Sequence, residues 1–157
     1  MRIHRSIRIV RGALATIALA AVAACSPVYR FQTPAPDGLN ADQRSMRAQM
    51  AVMLQAQGFQ DMGAYYRASD GLGCGSTAPD RHTYEKSWRG ETLWLPSWST
   101  VWVQEFSCDD RWSAVILTDG ADDEADALYA LLEHVFADDI AEGRLKTERS
   151  HRVLLEQ

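Results

Sequence analysis

The chain has 157 residues, and its 21 acidic and 16 basic side chains give a formal net charge of −5 at pH 7. This length accommodates one globular domain with flanking segments and leaves no room for two domains of ordinary size. The acidic balance argues against nucleic acid or an anionic lipid surface as a partner, because both favour clustered lysine and arginine.

The first 25 residues have the composition of an export signal. Four arginines and no acidic residue precede position 25, and an apolar stretch runs from Ala13 to Val22. That stretch is too short to cross a hydrocarbon core as a helix, which needs about 20 residues. It leads into Val22-Ala23-Ala24-Cys25. The segment from Met1 to Ser26 therefore resembles the signal peptides of bacterial lipoproteins, in which such a tetrapeptide is the lipobox.

This resemblance implies that residues 1–24 are removed and that Cys25 carries a thioether-linked diacylglycerol and usually an N-acyl chain. Several acyl chains would make the membrane anchor effectively permanent. Ser26 stands where an Asp typically retains a lipoprotein at the inner membrane, so the resemblance implies the periplasmic face of the outer membrane. An ordinary secretory signal, or a buried helix with a chance cysteine, remains the alternative.

Cleavage before Cys25 would leave 133 residues with 12 basic and 21 acidic side chains. Prolines and polar neighbours make residues 25–38 a predicted lipidated N-terminus and linker, which would hold the domain off the membrane. Residues 39–157 then form a single predicted α+β domain.

A first helix is predicted from Asn40, a candidate N-cap, to Gln57, and Gly58 is placed to end it. Its apolar residues recur at spacings of three and four, which gives one stripe made of Met46, Met50, Met53 and Leu54. We expect this stripe to pack in the core, and a flexible methionine-rich binding surface is the alternative.

Strand-like segments follow. They are predicted at Phe59–Arg67, Tyr84–Trp88, Thr92–Leu95, Thr100–Ser107 and Trp112–Thr118. The last two are separated by Cys108-Asp109-Asp110-Arg111, which predicts a tight turn and an antiparallel hairpin.

A second helix is predicted after Asp119 or Asp122, either of which can cap it, and Gly143 is expected to end it. Its expected buried face consists of Leu128, Leu131, Leu132, Val135, Phe136 and Ile140. The tail near Val153 is compatible with an edge strand or a helical turn. This order of elements predicts an antiparallel sheet of about four to five strands with two helices packed on one face.

With Cys25 assigned to lipid, Cys74 and Cys108 remain as an even pair in an oxidising compartment, where a disulfide is expected. The alternative is a cysteine hydrolase with Cys74 as its nucleophile, because Cys74 lies between two glycines and a histidine elsewhere in the chain could activate it. The histidines after the signal are His82, His134 and His151. The acidic clusters lack the spacing of a calcium loop, so no metal and no cofactor is predicted.

All five tryptophans fall between Trp88 and Trp112. We expect most of them in the core and predict exposure for Trp94 and Trp98, which flank Pro96. With Arg89 and Glu91 they form the candidate partner-binding residues.

The leading hypothesis is a non-enzymatic envelope lipoprotein that binds an envelope protein or glycan through this region, with no nucleic acid partner. The Cys74 hydrolase is the alternative, and a purely structural lipoprotein is a third possibility.

Overall fold

The computed structural model describes residues 25–34, 41–65, 78, 80–92 and 95–153. Within them, six strands form one antiparallel sheet in the order β2-β3-β4-β5-β1-β6. The strands are β1 (Cys25–Gln32), β2 (Gln60–Asp61), β3 (His82–Thr92), β4 (Leu95–Cys108), β5 (Arg111–Asp119) and β6 (Lys146–Val153). The helices are α1 (Ala41–Ala56), α2 (Asp122–Val135) and α3 (Ala137–Ala141). The predicted α+β class is confirmed, with slightly more strands than expected.

Strand β1 corrects the predicted domain plan. Residues 25–38 are predicted to be a linker, but residues 25–32 form a strand that lies between β5 and β6 inside the sheet. Tyr29 and Phe31 are fully buried. Proline disfavours a central strand, but the ladder with β5 begins only at Tyr29, so Pro27 removes no hydrogen bond on that side. The linker prediction is therefore wrong for residues 25–32, and residues 35–38 lie outside the described part of the chain.

Both long helices pack against the same face of the sheet, as predicted. The helices and sheet share one apolar core, to which α1 contributes Met46, Met50 and Leu54, α2 contributes Leu128 and Leu132, and the sheet contributes Tyr29, Phe31, Val101, Val103, Trp112 and Ile116. The methionine stripe of α1 is thus a core element, because Met50 and Leu54 are fully buried and Met46 nearly so.

Aromatic and charged contacts fix α2 to the strands beneath it. The ring of Tyr129 stacks on that of Tyr29 with 4.6 Å between centroids. The Tyr29 hydroxyl donates a hydrogen bond to the Asp126 carboxylate, which also binds the Arg149 guanidinium of β6 at 3.0 Å. These contacts join α2, β1 and β6 into one unit.

The helix ends are only partly as predicted. Gly58 follows α1 with a φ of +82°, a conformation that favours glycine. The N-cap of α2 is Ala121, whose N–H is bound by the Thr118 hydroxyl at 3.1 Å, so capping by Asp119 or Asp122 is wrong. The acidic side chains instead occupy the first turn, where they favour the positive end of the helix dipole.

Two strand predictions differ from the structure. Of the segment predicted as a strand from Phe59 to Arg67, the structure describes residues 59–65, and among these only Gln60–Asp61 form a strand. Met62 and Tyr65 beyond it are exposed. The edge strand β6 covers Lys146–Val153 and so begins earlier in the tail than predicted, while Leu154 and Leu155 lie outside the described residues.

The β4–β5 hairpin follows its turn chemistry. The β4–β5 hairpin is confirmed, and both residues of its turn, Asp109 and Asp110, have positive φ values of 50° and 59°. The segments predicted separately at Tyr84–Trp88 and Thr92–Leu95 belong to one long hairpin made of β3 and β4.

Candidate functional site

The sheet register shows which residues lie at the same level along the strands. Tyr29 of β1 pairs with Ile116 of β5, and Ile116 pairs with Val103 of β4. Since β1 and β4 run in the same direction, Cys25 lies four positions before Tyr29 at the level of Ser99, four positions before Val103. We call this level, marked by Cys25 and Ser99, the anchor level.

The β3–β4 hairpin continues past the anchor level. Its ladder extends to the pair of Thr92 and Leu95, four positions beyond Ser99. At about 3.3 Å per residue, this extension is about 13 Å long. We call residues 89–92 and 95–98 the hairpin end.

Most of the predicted binding residues come together on the hairpin end. Arg89 pairs directly with Trp98, and Glu91 pairs with Pro96, so these positions share one face of the hairpin. It is the face opposite the helices. The Trp98 side chain is 67% exposed, as predicted, and Arg89 is also exposed. Trp94 lies outside the described residues.

The tryptophans nearer the middle of the sheet are structural, as expected for most of them. Trp112 is fully buried in the main core. Trp102 is 8% exposed and belongs to a small apolar cluster on the face without helices, where its Nε1 donates to Glu85 at 2.8 Å. Trp88 is half-buried, and the Lys86 ammonium lies 5.2 Å from its ring centroid. Trp98 therefore differs from these three in its exposure.

The other end of the sheet holds a charged cluster that the sequence analysis missed. The Arg47 guanidinium of α1 binds the Asp80 carboxylate at 2.9 Å and lies 3.8 Å from that of Glu105. Asp80 also accepts hydrogen bonds from the backbone N–H and hydroxyl of Ser107, at 3.0 and 2.6 Å. The cluster fastens α1 and the segment before β3 to strand β4. The sequence feature that indicates this cluster is Glu105. It continues the alternation of Val101 and Val103, so it lies on the face of β4 that packs against the helices.

Burial dominates the protonation of Glu105. The residue is 2% exposed, and burial raises the pKa of its carboxyl to about 7 although Arg47 acts in the opposite direction. Burial also raises the pKa of Asp80, but the Ser107 hydrogen bonds and Arg47 outweigh it, so that pKa is lowered. Among the described residues, no partner satisfies Glu105 Oε1. The cluster is covered by α1, so we interpret it as a stability element rather than a catalytic site.

Cys108 is disulfide-bonded. It pairs with Arg111 at the end of β4, nine positions from the anchor level, which corresponds to about 30 Å along the strand. The Cα atoms of a disulfide lie within about 7 Å of each other, so Cys25 is excluded as its partner. Cys74 lies outside the described residues, and its pairing with Cys108 stays a prediction.

The histidines available to a Cys74 hydrolase are spread over the fold. His82 on β3 lies with its Nε2 2.6 Å from the Asp61 carboxylate, and His134 is exposed near the end of α2. His151 is part of β6. Within the described ranges, no group of three histidine, cysteine or acidic side chains is arranged to hold a metal ion.

None of the helices among the described residues is long and apolar enough to span a membrane. No protein-family model matches the chain, and no curated protein or solved structure matches it either.

Proposed function

We propose that this chain is a bacterial envelope lipoprotein, anchored through an acylated Cys25, with a non-enzymatic domain that binds another envelope component. The position of Cys25 in the fold carries this proposal. Cys25 is itself paired with Val153 of β6, so cleavage immediately before it would keep every residue of β1 that pairs with β5 or β6 in the described part of the chain. Ser26 favours the periplasmic face of the outer membrane by the same resemblance.

Two observations favour binding over catalysis. Cys108 is a half-cystine, which fits a domain that matures in an oxidising compartment and argues against a free, activated thiol as its partner. The polar cluster around Glu105 is covered by α1, whereas Trp98 and Arg89 are open to contact. An exposed indole paired with a guanidinium provides an apolar surface and a hydrogen-bond donor for a partner.

The anchor is tested by metabolic labelling with an alkyne fatty acid in a Gram-negative host. The wild-type chain should be labelled and recovered with the membrane. Cys25→Ala should remain an unlabelled, uncleaved precursor, because the thioether forms on the cysteine thiol before cleavage. Ser26→Ala is the matched control, since it alters the adjacent residue and keeps the thiol, and it should be labelled like wild type. Equal labelling of Cys25→Ala and wild type would refute the proposal.

A further inference from the structure

We infer that the hairpin end contacts the lipid bilayer in which the chain is anchored, and that Trp98 lies in the interfacial layer of that bilayer. This inference rests on the proposed acylation of Cys25. It specifies the first surface that the exposed aromatic face of the hairpin meets.

The first step is the length of the tether. In the processed chain, Cys25 would be both the acylated N-terminal residue and the first residue of β1. No residue would then separate the lipid from the sheet. The anchor level would lie at the membrane surface, because a spacer of zero residues has no reach.

The second step is the extent of the hairpin beyond that level. The hairpin end reaches about 13 Å past Cys25 along β4. β4 is the second strand from β1 in the sheet, and neighbouring strands are twisted by about 20 to 25° relative to each other. Measured along the direction of β1, the hairpin end therefore extends about 9 Å past Cys25. The interfacial layer on each side of a bilayer is about 5 to 7 Å thick. The hairpin is therefore long enough to cross this layer.

The third step is the chemistry of the hairpin end. Its eight residues contain one basic and one acidic side chain, Arg89 and Glu91, so its net charge is zero. Trp98 is exposed, and tryptophan is enriched at membrane interfaces, where its ring is apolar and its N–H is hydrated. Arg89 has a long apolar stem that lets its guanidinium reach the headgroups from the position paired with Trp98.

The charges near the anchor level indicate which class of phospholipid the hairpin end contacts. Asp119 pairs with Thr100, one position from the anchor level, and three more acidic side chains follow in the first turn of α2. Two basic residues lie near this level, namely Arg89 and Arg152, which pairs with Ser26. The acidic groups outnumber them, so attraction to an anionic surface does not drive the contact. Electrically neutral phospholipid is the partner we infer.

The test is photo-crosslinking in intact cells, with the full chain carrying benzoylphenylalanine in place of Trp98. We expect an adduct at position 98 whose added mass is that of a phospholipid. Arg111 is the matched control position, because it is exposed and lies about 30 Å from the anchor level at the opposite end of the sheet. Substitution there should give no lipid adduct.

The outcomes separate this inference from the proposed anchor, because the same cells are labelled with the alkyne fatty acid. Three results with an acylated chain would overturn the inference and leave the anchor standing. These are a protein or glycan adduct at position 98, equal lipid adducts at positions 98 and 111, and no adduct at position 98. An unacylated chain overturns the anchor. With the acylated chain in vesicles, phosphatidylcholine should give at least as much adduct as phosphatidylglycerol, and a higher yield with phosphatidylglycerol would contradict the choice of lipid.

Discussion

The buried carboxyl of Glu105 should make the stability of this protein depend on pH in an unusual direction. Burial raises its pKa in the folded state from 4.5 to about 7. In the unfolded chain the carboxyl is hydrated and returns to its ordinary value. Between these two values the folded state holds a proton that the unfolded state has released, so the free energy of unfolding falls as pH rises. This contribution is present in full below pH 4.5 and is lost once pH passes about 7.

The size of the effect follows from the interval between the two pKa values. At about 1.4 kcal/mol per pKa unit, the full loss is about 3 kcal/mol, and most of it develops between pH 5 and 8. Asp80 acts in the opposite direction. Its lowered pKa makes a stabilising contribution that is present above its ordinary value of 3.8 and is lost as pH falls through the folded value. The two carboxyls therefore act in different pH ranges.

Urea denaturation of wild type and Glu105→Gln, followed at several pH values by tryptophan fluorescence, measures this difference. The variant should gain about 2 to 3 kcal/mol relative to wild type between pH 5 and pH 8, because its amide does not titrate. Arg47→Met should extend the wild-type loss above pH 7, since the cation that holds the Glu105 pKa down is gone. A difference between wild type and Glu105→Gln that stays constant over this range would refute the assignment.

Two other substitutions test the fold itself. Phe31→Ala should lower the free energy of unfolding by about 3 to 5 kcal/mol in urea denaturation, because Phe31 is fully buried in β1, and a loss below about 1 kcal/mol would contradict a core position for this strand. Cys74→Ser/Cys108→Ser should lower stability by about 2 to 5 kcal/mol and melt like reduced wild type, whereas unchanged melting would exclude the predicted disulfide.

The elements that the sequence predicts well are those whose evidence is local. The stripe of Met46, Met50 and Leu54 repeats within a single helix. The β4–β5 hairpin needs only two alternating segments and a turn that tolerates positive φ. In both cases the residues that determine the structure lie within about 20 positions of one another, so a sequence pattern captures them.

The element that the sequence mispredicts depends on distant partners. Strand β1 holds its position because β6 lies on one side of it, with Cys25 opposite Val153, and β5 lies on the other. These partners follow it by roughly 80 to 130 residues, and its own sequence contains a proline and only two large inward residues, Tyr29 and Phe31. No local pattern distinguishes such a strand from a linker.

In the candidate site, too, the sequence predicts the features that depend on nearby residues and misses those that depend on distant strands. The exposure of Trp98 is predictable from its place beside Pro96 near a turn. Its position one residue beyond the level of Cys25 depends on the register of three adjacent strands, which only the sheet provides. The burial of Glu105 likewise requires α1 to cover it.

The proposed anchor at the first residue of β1 would restrict what the domain can reach. A lipoprotein with a long flexible linker samples partners far from its membrane, but a domain that begins at its acylated residue extends only as far as its own height. The described part of β4 extends about 30 Å from the anchor level to the β4–β5 turn. With the proposed anchor, a partner in the envelope would have to come close to the membrane to meet this protein, and the described surface farthest from the bilayer would be the end that carries Arg111 and the disulfide-bonded Cys108.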